Sequence, residues 1–300
     1  MSDELEAYAD ARTREARNDP RATHEFVTMA LTEPDENAAW EAVVTLHFRG
    51  TREVFDAACS LCASECPQER TLGANIFGQL GVPNRSFPTE SVQVLLELLQ
   101  VETDQDVLDA VCIALGHIHD PSAISSLVQL KTHASAGVRY ALVFALTGFE
   151  DRLAIETLIE MSRDVDELVR DWATFGLGAQ IDLDTPEIRA ALLARVYDED
   201  EVTRGEALVG LARRKDQRII EPLIEELERF HDSEYGNYSV EAAEEIADAC
   251  LLPVLTRLRQ SAATDDARLD EAIRRCAESV SSRQMRTSSL TSPILEPWKL

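Results

Sequence analysis

The sequence predicts an all-α protein built from repeated helix pairs, an α-α superhelix (solenoid) of about seven antiparallel pairs. The first observation is a recurring pattern of an aspartate, three residues, an isoleucine or leucine, two residues and a leucine. It begins at Asp120, Asp151, Asp216 and Asp248, and more loosely at Asp184, in steps of 31, 33, 32 and 32 residues. A fixed period of this size indicates stacked units rather than one closed core. The second observation is an amphipathic segment before each aspartate.

That segment opens with a valine and an arginine in two units, at Val138-Arg139 and Val169-Arg170, with Arg204 close to equivalence in the next. Apolar and small residues follow at spacings of three and four, which predicts a helix with one buried face. Small residues on that face should let neighbouring helices come close. Each aspartate then suits the N-cap of a second helix, because its carboxylate accepts bonds from unpaired backbone N–H groups. One unit is therefore a helix, a tight turn and an N-capped helix.

These residues resemble the HEAT repeat, in the short bacterial form called PBS-lyase HEAT-like, an armadillo-type fold. The N-terminal part repeats the pattern, since Glu41 to Leu46 parallels Glu206 to Leu211 at an offset of 165 residues, or five units of 33. The resemblance covers roughly residues 36–260. It implies a right-handed superhelix whose second helices line the concave surface. It does not imply one function, because HEAT arrays serve many unrelated tasks.

The chain is expected to fall into four segments. Residues 1–35 are an acidic segment with a capping helix near 22–32, and residues 36–260 are the repeat array. Residues 261–280 form a C-terminal capping helix, and residues 281–300 a flexible tail rich in Ser and Thr. In the first two full units we expect helices near residues 37–48, 51–65, 68–80 and 88–100. The longer loop 81–88, with Gly81 and two prolines, is either a spacer or a contact site.

The formal charge is −26, from 55 acidic and 29 basic residues. Such a field repels phosphate backbones and anionic lipid and favours basic partners, although solubility alone would also explain it. No apolar segment follows a basic N-terminal start, and nowhere do 18 apolar residues run together. We therefore expect a cytoplasmic protein that binds neither nucleic acid nor membrane. The sequence leaves the oligomeric state open.

Cys59, Cys62 and Cys66 are spaced so that one helix face could carry all three thiols. They are weak candidates for a metal or redox site. No fourth Cys or His is close in sequence, and structural zinc ligands usually come from turns. Buried free thiols, which behave as small apolar side chains, are the alternative and favoured interpretation. We therefore expect no metal and no cofactor.

His117 and His119 flank the C-terminus of a predicted helix, directly before the capping Asp120. A His-x-His pair can bind metal, but a helix C-terminus also favours a cation, and Asp120 already has a capping role. His133 stands alone before the next unit. Structural roles are the favoured interpretation for all three histidines.

Arg139, Arg170 and Arg204 form a ladder at the repeat step. They either pair with acids of adjacent units, such as Asp164, Asp166 or Glu201, or present guanidinium groups to a ligand; pairing is favoured. Trp172 aligns with Ala141, and Phe175 aligns with Phe144. Both aromatic residues are therefore predicted to lie in the core.

The second helices carry the candidate partner-binding residues. Positions five and nine after each capping aspartate lie beside the apolar face and hold acidic pairs in two units, Glu156 with Glu160 and Glu221 with Glu225. They would form an anionic stripe for a basic protein or peptide, or simply a solvated face. Arg189 and, in the C-terminal tail, Trp298 are further candidates. Trp298, with Ile294 and Leu295, could anchor the tail to a groove.

The favoured function is a non-enzymatic scaffold or adaptor, because no catalytic constellation is visible. Deoxyhypusine hydroxylases use several His-Glu dipeptides, whereas this chain has only His24-Glu25. HEAT-like DNA glycosylases need a cationic groove, which a charge of −26 does not favour. A phycobilin-lyase-like or other small-ligand or metal-binding HEAT protein remains the alternative.

Overall fold

The computed structural model describes residues 2–229, 237–261 and 266–290. Over these residues the chain forms seventeen α-helices and no strand, which confirms the predicted all-α helical-repeat class. The chain divides into two compact units, Met1–Gly176 and Leu177–Leu300, with helix α11 crossing the division.

The N-terminal unit consists of consecutive helices joined by short turns, and its core is made of Val, Leu, Ile, Ala and Phe side chains. Val107, Val138 and Val169, at equivalent positions in three helices, are completely buried or nearly so. The helices are α1 Ser2–Asn18, α2 Thr23–Thr32, α3 Glu36–Arg49, α4 Arg52–Cys62, α5 Pro67–Gln79, α6 Pro88–Val101, α7 Gln105–Ile118, α8 Ile124–Leu127, α9 Ala136–Leu146, α10 Arg152–Met161 and the start of α11 Glu167–Ala179.

The C-terminal unit continues the same alternation of helices. Leu208 and Leu211 of one helix and Leu223 and Leu227 of the next are fully buried. Short 3-10 turns at residues 217–219 and 249–251 lead into two of its helices. The helices are α12 Pro186–Leu193, α13 Glu201–Arg213, α14 Ile220–Glu228, α15 Asn237–Ile246, α16 Leu252–Ser261 and α17 Ala267–Leu290.

Helix bounds differ from the expected ones at both ends of the chain. The acidic residues at the start form α1, which packs against α3 and was not expected as a helix. Arg49, which is 7% exposed, ties this end together because its guanidinium donates to the carbonyl oxygens of Ala16, Asp19 and Arg21. At the other end α17 runs ten residues beyond the predicted boundary at 280, and residues 291–300 lie outside the described residues.

Four of the five predicted aspartate caps are confirmed. Asp151 accepts from the backbone N–H groups of Leu153 and Ala154 at 2.8 and 3.3 Å, and Asp120, Asp216 and Asp248 each accept one N–H bond two residues ahead. The cap predicted at Asp184 is wrong. Helix α12 begins one residue later, with Thr185 accepting from Ile188 N, because the inserted residues shift the start of the helix.

Replacing Asp151 by alanine should destabilise the N-terminal unit by about 1 kcal/mol, because two N–H groups lose their acceptor. Asp151→Asn is the matched control, since an amide oxygen can accept the same bonds and should retain most of the stability. Urea unfolding followed by far-UV circular dichroism measures both. Equal losses in the two variants would contradict a capping role.

Helices α5, α7, α9 and the part of α11 up to Gly176 form a close-packed row. A Cβ placed on Gly78 would lie 3.1 Å from Ala114 Cα, and one on Gly116 would lie 2.9 Å from Ala145 Cα. These glycines therefore let the backbones of adjacent helices touch, as expected from the small residues on the buried helix face. The C-terminal unit repeats the device, since a Cβ on Gly210 would lie 2.6 Å from Gly178 Cα.

Helices α4, α6, α8 and α10 form a spaced row on the opposite side of the N-terminal unit, and they contact one another sparsely. Where elements stack in a curved array, the elements on the inner side must lie closer together. The close-packed row is therefore the inner one in this unit. The expectation that the Asp-capped helices line the concave surface is wrong, because the small residues that permit close approach belong to the other helix of each pair.

Candidate functional site

The arginine ladder is a set of intramolecular clamps. Arg139 donates from Nε and Nη2 to both oxygens of Asp164 at 2.7 Å, and its Nη1 donates to the carbonyls of His133 and Ala134. The side chains of Arg139 and Asp164 are only 11% and 7% exposed. The predicted pairing with Asp164 is confirmed. The guanidinium joins the turn before α9 to the turn after α10.

Two other units repeat this geometry. Arg70 pairs through two nitrogens with Glu102 at 2.6 and 3.0 Å, and Arg204 pairs with Glu226 at 3.2 Å. Each also donates to the carbonyls five and six residues upstream. Arg170 donates to the carbonyl of Asp164, again six residues upstream. Arg70 was missed in the sequence because a Glu precedes it instead of a Val, although its offset within the repeat could have revealed it.

Arg189, a predicted partner contact, belongs to an ion network in the C-terminal unit. Its guanidinium pairs with Asp184 at 2.6 Å and with Asp216 at 3.1 Å, and also donates to the carbonyl of Arg214. Asp184 therefore pairs with Arg189 instead of capping the helix. Arg218 joins the network through Asp216, and both arginines hold the pKa of that carboxyl well below its usual range. The role of Arg189 in partner binding stays a prediction.

Arg214 closes the end of helix α11 from within the same unit. Its guanidinium donates to the carbonyl oxygens of Leu177, Gly178, Ile181 and Leu183, at 2.7 to 3.1 Å. Carbonyls at a helix C-terminus have no donor within the helix, and Arg214 supplies one here. Burial lowers the pKa of Arg214, although its carbonyl partners keep it bonded. This residue was not singled out from the sequence.

The acidic pair Glu156 and Glu160 lies exposed on α10, in the spaced row of the N-terminal unit. Each carboxylate has a cationic neighbour: Arg152 lies 2.8 Å from Glu156, and Lys131 lies 2.5 Å from Glu160. These exposed pairs reduce the negative charge of the helix face without removing it.

The second acidic pair, Glu221 and Glu225, lies exposed on α14 in the C-terminal unit. Glu225 is 3.7 Å from Arg229, and nearby Glu228 pairs with Arg257 at 2.7 Å. Glu221 makes no ion pair with any other residue that the structure describes. Because the two acidic pairs belong to different compact units, each must be tested as a separate surface.

The three candidate cysteines do not share a helix face. Helix α4 ends at Cys62, so the expected helix to residue 65 is wrong, and Cys66 instead opens α5 with its thiol donating to Gln68. Cys62 is buried against Gly73, and burial raises the pKa of its thiol to about 12. Burial also raises the pKa of Cys59. Across the described part of the chain, no three His, Cys, Asp or Glu side chains come together as a metal site.

The histidines near Asp120 make contacts within the fold, in agreement with the structural roles that the sequence favoured. His119 ends α7 in a left-handed conformation and stacks on Phe149 with ring centroids 3.8 Å apart. His117 packs edge-on against Phe144 at 5.3 Å. His133 accepts a bond at Nδ1 from the Ser135 backbone.

The long loop 81–88 folds back on its own unit. Arg85 donates to the carbonyls of Gly78 and His117, which end neighbouring helices, and Phe87 packs on Phe55 at 5.2 Å. Gly81 has φ +77° and lies so close to Ser86 that a side chain would not fit. These contacts give the loop a structural role in closing two helix ends.

An aromatic cluster lies on the inner face of the N-terminal unit. Trp172 contacts Tyr140, Phe144 and Phe175, with ring centroids 5.4, 5.9 and 5.7 Å apart. All four rings are only partly buried, so the prediction that Trp172 and Phe175 lie in the core is wrong. Trp172 is larger than the alanine at the equivalent position of α9, and it extends from α11 towards the rings of α9.

Asp109 of α7 lies beside this cluster. It is half-buried, and it makes no hydrogen bond or ion pair with another residue in the described ranges. Burial, and then the nearby Asp106, raise its pKa. Burial also raises the pKa of Tyr140, with Asp109 and Asp171 adding to the effect. A partly buried carboxylate therefore lies next to an aromatic surface without a cation.

A groove of about 380 Å³ continues the inner face towards the N-terminus. Helices α3 and α5 form its walls, and Trp40, which is 49% exposed, contributes the largest apolar surface. Leu31 closes one end, and Asp106 of α7 lies at the other. Asp106 thus connects the groove with Asp109 and the aromatic cluster.

Two expectations concern the ends of the chain and the membrane. Trp298, Ile294 and Leu295 lie outside the described residues, so the tail contact stays a prediction. Among the helices that the structure describes, none is long and apolar enough to cross a bilayer.

Comparisons with known proteins agree with this architecture. A family profile for HEAT repeats matches residues 59–147, 92–178 and 127–207. Protein YibA of Escherichia coli (strain K12) is 28% identical over 217 residues, covering 70% of this chain and 75% of YibA. The X-ray structure of the E. coli protein YibA matches with a TM-score of 0.69 and 22% identity, over 90% of this chain and 95% of that chain.

Longer helical-repeat proteins share the fold. Yeast importin-beta matches with a TM-score of 0.52 and 14% identity, over 89% of this chain and 41% of its own. The S. pombe condensin Cnd3-Cnd2 subcomplex matches with a TM-score of 0.54 and 14% identity, over 95% and 43%. At these identities the likeness concerns the fold alone. The repeat profile and the likeness to YibA show that the chain belongs to the HEAT-repeat proteins.

Proposed function

We propose that this protein is a non-enzymatic scaffold that binds a protein or peptide partner, with a basic partner favoured by its acidic surface. The HEAT-repeat fold commonly mediates protein interactions. The S. pombe condensin match is itself a subcomplex of two subunits. A stack of packed helix pairs offers a long preorganised surface, so binding loses little entropy to ordering the receptor.

The observation that carries the proposal is how the charges are distributed. The ladder arginines Arg70, Arg139 and Arg204 are held in pairs with acids and backbone carbonyls, and Arg189 and Arg214 are engaged in the same way. With 55 acidic against 29 basic residues, many carboxylates are left for the solvent-facing surface. Such a surface attracts cationic partners and speeds their encounter, and the attraction weakens as salt rises.

The first test is capture of partners by the tagged full-length chain from lysate of the native host. It is carried out at about 50 mM and about 200 mM salt, because the range of the electrostatic field is longer at the lower salt concentration and shorter at the higher one. We expect a defined basic protein to be enriched at low salt and reduced at higher salt. Co-purification of a small chromophore or a metal without any protein would contradict the scaffold and favour the alternative ligand-binding function.

Charge reversal then locates the surface. The substitutions Glu156→Lys and Glu225→Lys are made separately and together. They should raise the Kd for the captured partner by up to about tenfold, since each exposed charge contributes about 0.5–1 kcal/mol to the binding free energy. The slope of affinity against salt should flatten. Glu15→Lys on α1 is the matched control, with the same charge change on an exposed residue of a different helix. Unchanged affinity and slope in the double variant would exclude these two helix faces.

A further inference from the structure

The inner face of the N-terminal unit combines three features that the scaffold function leaves unexplained. Asp109 is a half-buried carboxylate without a cationic partner among the described residues. The partly exposed ring of Tyr140, on the next helix of the close-packed row, lies within electrostatic reach of Asp109 and contacts the ring of Trp172 on the helix after that. Asp106 then leads from Asp109 into the groove beside Trp40.

A carboxylate taken out of water loses hydration, and an ion pair or hydrogen bond normally compensates for this loss. Arg139, Arg70 and Arg204 supply that compensation for the acids Asp164, Glu102 and Glu226. Asp109 has no such neighbour, and the closest charge acting on it is a second carboxylate, that of Asp106. The position is therefore complementary to a cation supplied from outside the chain.

The aromatic rings select the kind of cation. Trp172 meets Tyr140 edge to face, at an interplanar angle of 76°, so the two rings do not cover each other by parallel stacking. A guanidinium or ammonium group held over such a ring is attracted to the π-electrons of the ring face. Aromatic rings with an adjacent carboxylate suit the head and the aliphatic stem of an arginine or lysine side chain.

The groove indicates that the cation belongs to a chain segment. It has apolar walls from Trp40 and Leu31, and Asp106 joins it to the aromatic cluster across α5 and α7. A small cation would occupy only the carboxylate and the rings. An extended segment with an apolar residue some distance from its basic residue would fill both parts of the face.

We propose that the inner face of the N-terminal unit binds an arginine- or lysine-containing segment of a partner protein. Its cationic side chain lies between Asp109 and the rings of Tyr140 and Trp172, and its apolar side chain lies in the groove beside Trp40. The proposal rests on the scaffold function in taking a protein segment as ligand. It differs in placing the contact on the close-packed row, away from Glu156 and Glu160.

The test uses a short fluorescein-labelled peptide with two leucines and two arginines separated by glycines. Its partner probe replaces both arginines with citrulline, which keeps the shape and removes the charge. Fluorescence anisotropy at about 150 mM salt limits the contribution of the long-range field. We expect the wild-type chain to bind the arginine peptide about tenfold or more tightly than the citrulline peptide.

Variants then separate this face from the general charge. Asp109→Asn should weaken the binding of the arginine peptide about tenfold, and Trp172→Leu should weaken it about fivefold. Glu156→Gln removes the same charge from the spaced row and should change binding less than twofold. Asp109→Asn keeps the size and shape of the side chain and breaks no hydrogen bond or ion pair among the described residues, so it keeps the test valid if Trp172→Leu unfolds, which circular dichroism would reveal.

Two results would overturn the proposal: equal affinity for the two peptides, or equal weakening by Asp109→Asn and Glu156→Gln. Neither result depends on the lysate capture. A partner captured equally by wild type and by Asp109→Asn would remove this site and leave the scaffold function intact. Peptide discrimination at Asp109, with no protein captured from lysate, would contradict the scaffold while supporting the cation site.

Discussion

Replacing Arg139 by alanine should destabilise the N-terminal unit by about 3 kcal/mol, because it leaves a carboxylate and two carbonyls without their donor. Asp164 is 7% exposed and loses a two-nitrogen ion pair, while the carbonyls of His133 and Ala134 lose Nη1. The expected loss of stability is at the lower end of the range for a broken buried ion pair, because Arg170 also stabilises the charged form of Asp164 and helps to lower its pKa. Urea unfolding followed by tryptophan fluorescence measures the change, since Trp40 and Trp172 both lie in this unit.

Arg152→Ala is the control for that experiment. It removes an arginine from an ion pair of similar length, 2.8 Å to Glu156, but the arginine side chain is 84% exposed. Solvent screens such a pair, so the expected loss is within about 0.5 kcal/mol. Similar losses for Arg139→Ala and Arg152→Ala would show that the ladder does not clamp the repeats. Hydrogen exchange should place the effect of Arg139→Ala in α9 and α10.

Lowering the pH from 6.5 towards 4 should destabilise the N-terminal unit through His47. This residue is 3% exposed, and its Nε2 bonds to the carbonyl of Asn75 at 2.9 Å. Burial above all, with a smaller contribution from His117 and Arg85, lowers the pKa of His47 to about 4 against the opposing effect of the Asn75 bond. The unfolded chain, with a pKa near 6.5, therefore takes up a proton before the folded chain does.

The sign of the pH effect follows from that order. Stability is complete above pH 6.5 and falls by up to about 3 kcal/mol as the pH approaches 4. Urea unfolding at intervals across this range measures the slope. Burial lowers the pKa of His117 as well, so it adds a smaller slope of the same sign. Carboxyl groups with lowered pKa, such as Asp164, act mainly below this range, since their unfolded value is near 3.8.

His47→Gln is the matched variant, because glutamine keeps an N–H donor but does not titrate. It should lower the stability at pH 7.5 and flatten the slope between pH 6.5 and 4. A slope as steep as that of the wild-type chain would show that His47 is not the group responsible. His24→Gln on α2 provides a comparison with an exposed histidine.

Much of the local structure was predictable because it depends on residues close together in sequence. The caps at Asp120, Asp151, Asp216 and Asp248 follow from a carboxylate one turn before an apolar helix. The exception at Asp184 is the repeat with an altered spacing, where Thr185 takes over. Helix α1 was not predicted because its sequence is acidic and only weakly apolar, and it packs against α3, which lies apart from it in sequence.

The candidate sites were less predictable. Cys59, Cys62 and Cys66 satisfy helical spacing only if one helix continues, and the chain turns after Cys62. Glu156, Glu160, Glu221 and Glu225 were assigned to exposed helix faces, and they are exposed. Their neighbours Lys131 and Arg257 come from adjacent repeats, so the charges that partly neutralise these surfaces were not visible in the local pattern.

The repeat period, the helix pairs and the arginine ladder follow from the sequence, because each recurs at a fixed step and each helix carries its own caps and apolar face. The packing of the folded chain sets which row of helices is the inner one, since this depends on how closely Gly78 and Gly116 let neighbouring backbones approach. It also decided that Asp109 and Tyr140, 31 residues apart in sequence, share one surface. The repeat step makes the two positions equivalent in adjacent helices, but the lack of a cationic partner for Asp109 among the described residues depends on packing between repeats.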